Sequence, residues 1–203
     1  MAISVGMVGL GQFGRAFVHS FKRHPDVARL ALCDMHPQRL ADMAREHGIH
    51  ECYSSLDDIC RSDIQALVLI TQPWLHYRQV MQALEAGKHV YSAVPTVYGA
   101  EGDALLEQCD RLVEAVTRTG LTYMLGETTF FRRETIYCRQ KVREGAFGQL
   151  TYGECEYWHD IDLPVSNLRE VARARRLSCQ RSKGPHHPAS AGGKGKRMEA
   201  CAG

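Results

Sequence analysis

The chain has 203 residues, 44% of them hydrophobic, with 25 Lys and Arg against 23 Asp and Glu for a net charge of +2. That length holds one α/β domain of common size with some chain to spare, and the apolar fraction is enough for a buried core. The charge is unevenly spread: residues 171–203 carry eight Lys or Arg and one Glu, while the remainder offers no basic face interleaved with aromatics, which argues against a nucleic-acid partner.

The opening Met1 to Gly14 is too short and Gly-rich for the ~20 apolar residues of a membrane span, and it lacks the basic leader of a signal peptide. Eight cysteines are scattered without a CxxC pair or a metal-type cluster, as small core residues in a reducing compartment would be. The expectation is a soluble, cytoplasmic protein with no metal site and no membrane partner.

The first element is an apolar β-type run of Ile3, Val5, Met7 and Val8. It leads directly into Gly9-Leu10-Gly11-Gln12-Phe13-Gly14, a GxGxxG spacing, and then into Ala16, Phe17 and Phe21 at helical intervals. In such a turn the first glycine permits the tight reversal, the second lets backbone approach a pyrophosphate, and the third lets helix and strand pack closely. Free N–H groups at the helix start then face phosphate. Gly9, Gly11, Gln12, Phe13 and Gly14 are the candidate dinucleotide contacts. The next strand, Leu30 to Asp34, ends in a carboxylate roughly 20 residues further on, where a ribose hydroxyl acceptor belongs. Asp34 could instead simply start the following helix.

From His36-Pro37 a helix is predicted to about His47, with Leu40, Met43 and Ala44 on one face and Gly48 as its stop. Ser54-Ser55 offers an N-cap to a short helix, and Ala66 to Ile70 reads as a strand covered on both faces. After Thr71-Gln72-Pro73-Trp74 comes a helix with Tyr77, Val80, Met81 and Leu84 on one side, then a strand at His89 to Tyr91 that Pro95 ends. A long helix from about Glu101 to Thr119 is predicted to bury Leu105, Cys109, Leu112, Val113 and Val116, and Leu121 to Leu125 forms a further strand. This alternation implies an α/β fold, a doubly wound parallel sheet of the Rossmann type with right-handed crossovers over residues 1–126.

Beyond Gly126 the pattern changes to a helix over about Arg132 to Glu144 and a Tyr- and Trp-containing stretch, Gln149 to Trp158, read as the first strand of another sheet. Residues 127–170 are thus expected to begin an incomplete second α+β domain. The basic tail, 171–203, has too few large aliphatics to offset chain entropy and is expected to be disordered.

Several segments in register resemble the glucose-fructose oxidoreductase / inositol dehydrogenase (Gfo/Idh/MocA) family over roughly residues 3–165. They are Val5 to Gly14, Leu32-Cys33-Asp34 with Arg39, Leu69-Ile70-Thr71-Gln72-Pro73 with His76, Ala83 to Val90, and Arg143 to Gly148. The resemblance implies a nicotinamide-binding domain, a C-terminal substrate domain with an open sheet, and oxidation or reduction of a sugar or cyclitol carbinol. It also implies that Thr71, Gln72 and His76 line the ribose and nicotinamide side of the cofactor. The plainer alternatives are a helix N-cap for Thr71 and a polar surface position for His76. Asp34 favours NAD over NADP because a carboxylate repels a 2′-phosphate, although Arg39 stands nearby in sequence.

Two departures from the family pattern matter. The family usually carries Glu-Lys-Pro after the fifth strand, where this chain has Ala93-Val94-Pro95, and valine cannot take a hydroxyl proton. The catalytic residues are therefore unassigned, with Tyr91 and His159-Asp160 as substitutes to weigh against a strand tyrosine and a loop pair. The second domain also stops after about one strand. An NAD(P)-dependent oxidoreductase acting on a small polyhydroxylated substrate is thus set beside a non-catalytic dinucleotide-binding module or truncated gene product; a homo-oligomer is left open. A nucleotide-free partner-binding fold is disfavoured by the intact glycine turn.

Overall fold

The computed structural model describes residues 2–154 and residue 156. The chain divides into two compact units, Met1–Thr135 and Ile136–Gly203. Six parallel strands form one sheet in the order β3-β2-β1-β4-β5-β6: β1 Ile3–Val8, β2 Val27–Cys33, β3 Cys52–Tyr53, β4 Ala66–Leu69, β5 His89–Ser92 and β6 Tyr123–Leu125. Helices α1 Arg15–Arg23, α2 Pro37–His47, α3 Leu56–Arg61, α4 His76–Glu85 and α5 Asp103–Thr119 connect them. Strand order reverses between β1 and β4, the switch point where doubly wound sheets open a crevice at the carboxyl ends of their strands.

The inner strands β1, β2, β4 and β5 divide their side chains between two apolar layers, as the period of two requires. Met7, Leu32 and Val68 pack with Val18 of α1 and Met43 of α2, while Val8, Cys33, Leu67 and Leu69 pack with Ile59, Val80, Leu84 and Leu112 of α3, α4 and α5. The short, nearly unbroken apolar runs of β1 and β4 are the consequence of having both faces covered.

Local rules set the helix limits. Pro37 occupies the first turn of α2 and Gly48 ends it in the left-handed conformation, while the Ser55 hydroxyl accepts the Asp58 N–H at 3.1 Å to start α3. Two helix faces differ from expectation. In α5 the buried residues are Leu112 and Ala115, and Val113 is 63% exposed, because one residue past Leu112 lies about 100° around the helix. In α1 Ala16 is exposed and Val18 is fully buried.

After β6 a helix α6, Arg133–Arg143, buries none of its residues and leaves Ile136, Tyr137 and Val142 exposed. Residues 149–154 carry no strand, since a strand is made by pairing and the sheet consists of β1–β6. Trp158, the pair His159-Asp160 and the basic tail lie outside the described residues. Among the described residues no helix is long and apolar enough to cross a membrane.

Candidate functional site: the carboxyl edge of the sheet

The glycine turn leaves the carboxyl end of β1 at the switch point. Gly9 takes φ +92°, which a side chain rarely tolerates, and a Cβ there would meet the Ile70 carbonyl oxygen at 2.3 Å. Gly14, in ordinary helical geometry, is held for a different reason: a Cβ would stand 1.9 Å from the Gly9 carbonyl oxygen. Gly11 is the contrast, since a Cβ built on it would find no heavy atom within 4 Å. The protein thus leaves open space above Gly11. Among the described residues the N–H groups of Gly11, Gln12, Phe13 and Gly14 find no acceptor, and these are the orphan donors of a helix start. Gln12 and Phe13 are exposed at the rim, the Phe13 ring meeting Phe17 edge to face at 4.9 Å.

Asp34, just past β2, is 5% exposed. Its Oδ2 accepts the N–H of Leu10 inside the glycine turn at 2.8 Å and its Oδ1 accepts the N–H of His36 at 2.8 Å. The carboxylate therefore clasps the turn to the start of α2. Arg39 stands beside it, Nη1 at 3.2 Å from Oδ2, with its own side chain partly in solvent. An ionised carboxylate has about four acceptor sites, and the two amides together with Arg39 Nη1, which also lies 3.4 Å from Oδ1, occupy them; of these partners only the partly exposed guanidinium is a side chain that can swing aside. Burial and the neighbouring Asp34 charge push the Cys33 thiol up to about 12.

On the other side of the switch point, β4 and β5 end in two loops. Thr71 is half-buried, its hydroxyl donating to Gln79 Oε1, and Gln72 is exposed before a 3-10 turn over Pro73–Leu75. His76, the first residue of α4, is buried at 1% exposure with Nδ1 2.7 Å from the Pro95 carbonyl oxygen and Nε2 3.2 Å from that of Thr71. It is therefore no surface position. Val94 is 44% exposed in the turn after β5, next to a cis Val94–Pro95 bond. Trp74 and Tyr98, 50% and 43% exposed, stand 6.4 Å apart between ring centroids on these same two loops.

The glycine turn and Asp34 are in direct contact, and the Thr71 and Pro95 loops are joined through His76. The family model for the oxidoreductase family with an NAD-binding Rossmann fold, Gfo/Idh/MocA, matches residues 3–127. The chain belongs to the Gfo/Idh/MocA family. Among curated relatives, a glycosyl hydrolase family 109 protein of Shewanella sp. (strain MR-4) is 30% identical over 177 residues. The α-N-acetylgalactosaminidase of Shewanella oneidensis is 29% identical over 177 residues. Each alignment covers 82% of this chain but 37% of the relative, so the chain spans well under half the length of these curated relatives. Among solved structures, the scyllo-inositol dehydrogenase of Lactobacillus casei with NAD(H) and scyllo-inositol has a TM-score of 0.65 at 26% identity, covering 73% of this chain and 43% of that one. The WlbA dehydrogenase of Bordetella pertussis with NADH and UDP-GlcNAcA has a TM-score of 0.64 at 27% identity, with 73% and 43% covered.

Within this Gfo/Idh/MocA fold, sequence reading missed the groups that hold the post-β5 turn. The Tyr123 hydroxyl joins Ser92 Oγ at 2.9 Å and Thr96 Oγ1 at 2.6 Å. Those partners are 31 and 27 residues away in the chain, and no spacing rule reaches that far. Tyr91, weighed as a proton acceptor, packs half-buried against the core cluster around Met7 and Val68, and burial raises its hydroxyl pKa.

Proposed function

We propose that this chain binds NAD, in preference to NADP, across the carboxyl ends of β1, β2 and β4, and serves an oxidoreductase acting on a carbinol of a sugar or cyclitol. The observation that carries the reading is the glycine turn with unpartnered amides, clasped by Asp34. Gly9, Gly11, Gln12, Phe13 and Gly14 hold the pyrophosphate, and Asp34 takes the adenosine ribose in place of its hydrogen bonds from Arg39. Thr71 and Gln72 border the nicotinamide half, with His76 beside them. A 2′-phosphate brought to Asp34 meets its negative charge, which Arg39 offsets only in part. Bound nicotinamide supplies hydride acceptance and donation. The residues here orient it and shield it. Residues 127–170 begin the substrate-binding part, and the exposed Trp74 and Tyr98 rings offer an apolar face to a sugar ring.

A second reading is favoured by Val94 together with the names of the curated relatives. A valine cannot take the hydroxyl proton that leaves as a carbinol is oxidised, so the substrate could instead be a glycoside, as for the α-N-acetylgalactosaminidase relative. A non-catalytic coenzyme-binding module is the remaining alternative. Calorimetric titration with NADH and NADPH tests the coenzyme; tighter NADPH binding refutes the preference, and no heat with either refutes the site. Turnover assays with cyclitols, free sugars and nitrophenyl glycosides, each with NAD, separate the reactions, and silence in all of them favours the non-catalytic module.

A further inference from the structure

The His76 ring fills the gap between two loops that leave neighbouring strands, with a carbonyl oxygen at each nitrogen. A neutral imidazole donates to one of them and an imidazolium to both. The Pro95 side is anchored independently, because the Tyr123 hydroxyl on β6 ties Ser92, which is fully buried, to Thr96. His76 therefore passes the rigidity of the post-β5 turn to the loop that carries Thr71 and Gln72. Both loops lie on the side of the switch point away from Asp34. A dinucleotide with its adenosine ribose at Asp34 extends its other half across them.

We infer that His76 is a positioning residue that sets the spacing between the Thr71–Gln72 loop and the Ala93–Thr96 turn, so that the pair receives the nicotinamide half of the coenzyme. This rests on the coenzyme reading above and deepens it. The ring itself touches neither coenzyme nor substrate; its effect is carried by Thr71 and Pro95.

The test compares NADH with ADP-ribose, which has the same adenosine and pyrophosphate but no nicotinamide. His76→Asn keeps an amide donor near the Nδ1 position and the reach to Pro95; His76→Gln keeps one near Nε2 and the reach to Thr71. His76→Phe fills the space and donates to neither. Val80→Ala, at a fully buried position on the same helix, is the control for lost stability alone. In His76→Phe, NADH affinity should fall about tenfold while ADP-ribose affinity stays within about twofold, the scale of one or two lost hydrogen bonds. The Asn and Gln variants should fall between. Val80→Ala should lower the melting temperature without changing the ratio of the two affinities. In the coenzyme-free protein, amide exchange at Leu75, whose N–H bonds the Gln72 carbonyl, should quicken in His76→Phe more than in Val80→Ala. Equal weakening of both ligands, an unchanged ratio in His76→Phe, or a shifted ratio in Val80→Ala overturns the inference. If the wild-type protein binds neither ligand, the coenzyme reading has failed, and unchanged exchange at Leu75 then also removes the coupling between the loops.

Discussion

Gly14 and Gly11 occupy one six-residue motif, yet alanine should act on them in opposite ways. At Gly14 the new Cβ would stand 1.9 Å from the Gly9 carbonyl oxygen, which is backbone and cannot swing aside like a long side chain. An ordinary carbon–oxygen contact is about 3.3 Å, so helix α1 and the end of β1 must part by more than an ångström. Overpacking of that kind costs roughly 1–3 kcal/mol, outweighing the ~0.4–1 kcal/mol that alanine returns by restricting the unfolded chain. A net loss of about 1–2 kcal/mol lowers the melting temperature by roughly 4–10 °C in a domain of this size. At Gly11 nothing lies within 4 Å and the backbone is not in the left-handed region, so only the unfolded-state term remains. Gly11→Ala should melt at the wild-type temperature or slightly above it. Its methyl group does occupy the space above the turn, and NADH affinity should drop about tenfold, equivalent to ~1.4 kcal/mol. Thermal unfolding by circular dichroism and calorimetric titration read both quantities. Equal melting temperatures for Gly14→Ala and wild type, or a Gly11→Ala protein that binds NADH normally, would refute the assignment of these two glycines to packing and phosphate respectively.

Asp34→Ala removes the acceptor of the buried Leu10 N–H, so the coenzyme-free protein should lose about 1–3 kcal/mol in denaturant titration; an unchanged midpoint would show that the clasp contributes nothing. The Cys33 thiol, raised from 9.0 to about 12 chiefly by burial, ionises more readily in the unfolded chain. The unfolded state therefore loses its proton first, and the stability difference between wild type and Cys33→Ala should be flat below about pH 9 and then shift against wild type as the pH rises toward 12. A difference independent of pH across that window would contradict the shift. Gly126→Ala brings a methyl within 2.4 Å of the Tyr91 ring, so the near-ultraviolet signal of that tyrosine should change along with a fall in melting temperature. Retention of both would mean that Tyr91 has room to move.

Much of this molecule is written in short-range chemistry. Pro37 and Gly48 delimit α2, Ser55 starts α3, Gly120 at φ +67° stops α5, and apolar runs such as that of β4 announce strands covered on both sides. From these the βα rhythm, the parallel sheet and the glycine turn with its carboxylate were legible, because each depends on residues a few positions apart. The strand stretch from Gln149 was not, since residues 149–154 are coil and strand formation depends on a neighbour that no local pattern supplies. Other properties arise only once strands lie side by side. The outward turn of Val113 follows from which stripe of α5 meets α4. The role of His76 depends on Pro95, 19 residues away, arriving against its ring when β5 pairs with β4. The structural use of Asp34 was equally hidden: its place after β2 reads as that of a ribose acceptor, but the Leu10 amide reaches it only because β1 and β2 are neighbours in register. Periodicity and capping act along the chain, whereas a buried hydrogen bond between distant segments exists only where the packing of the sheet has already excluded water.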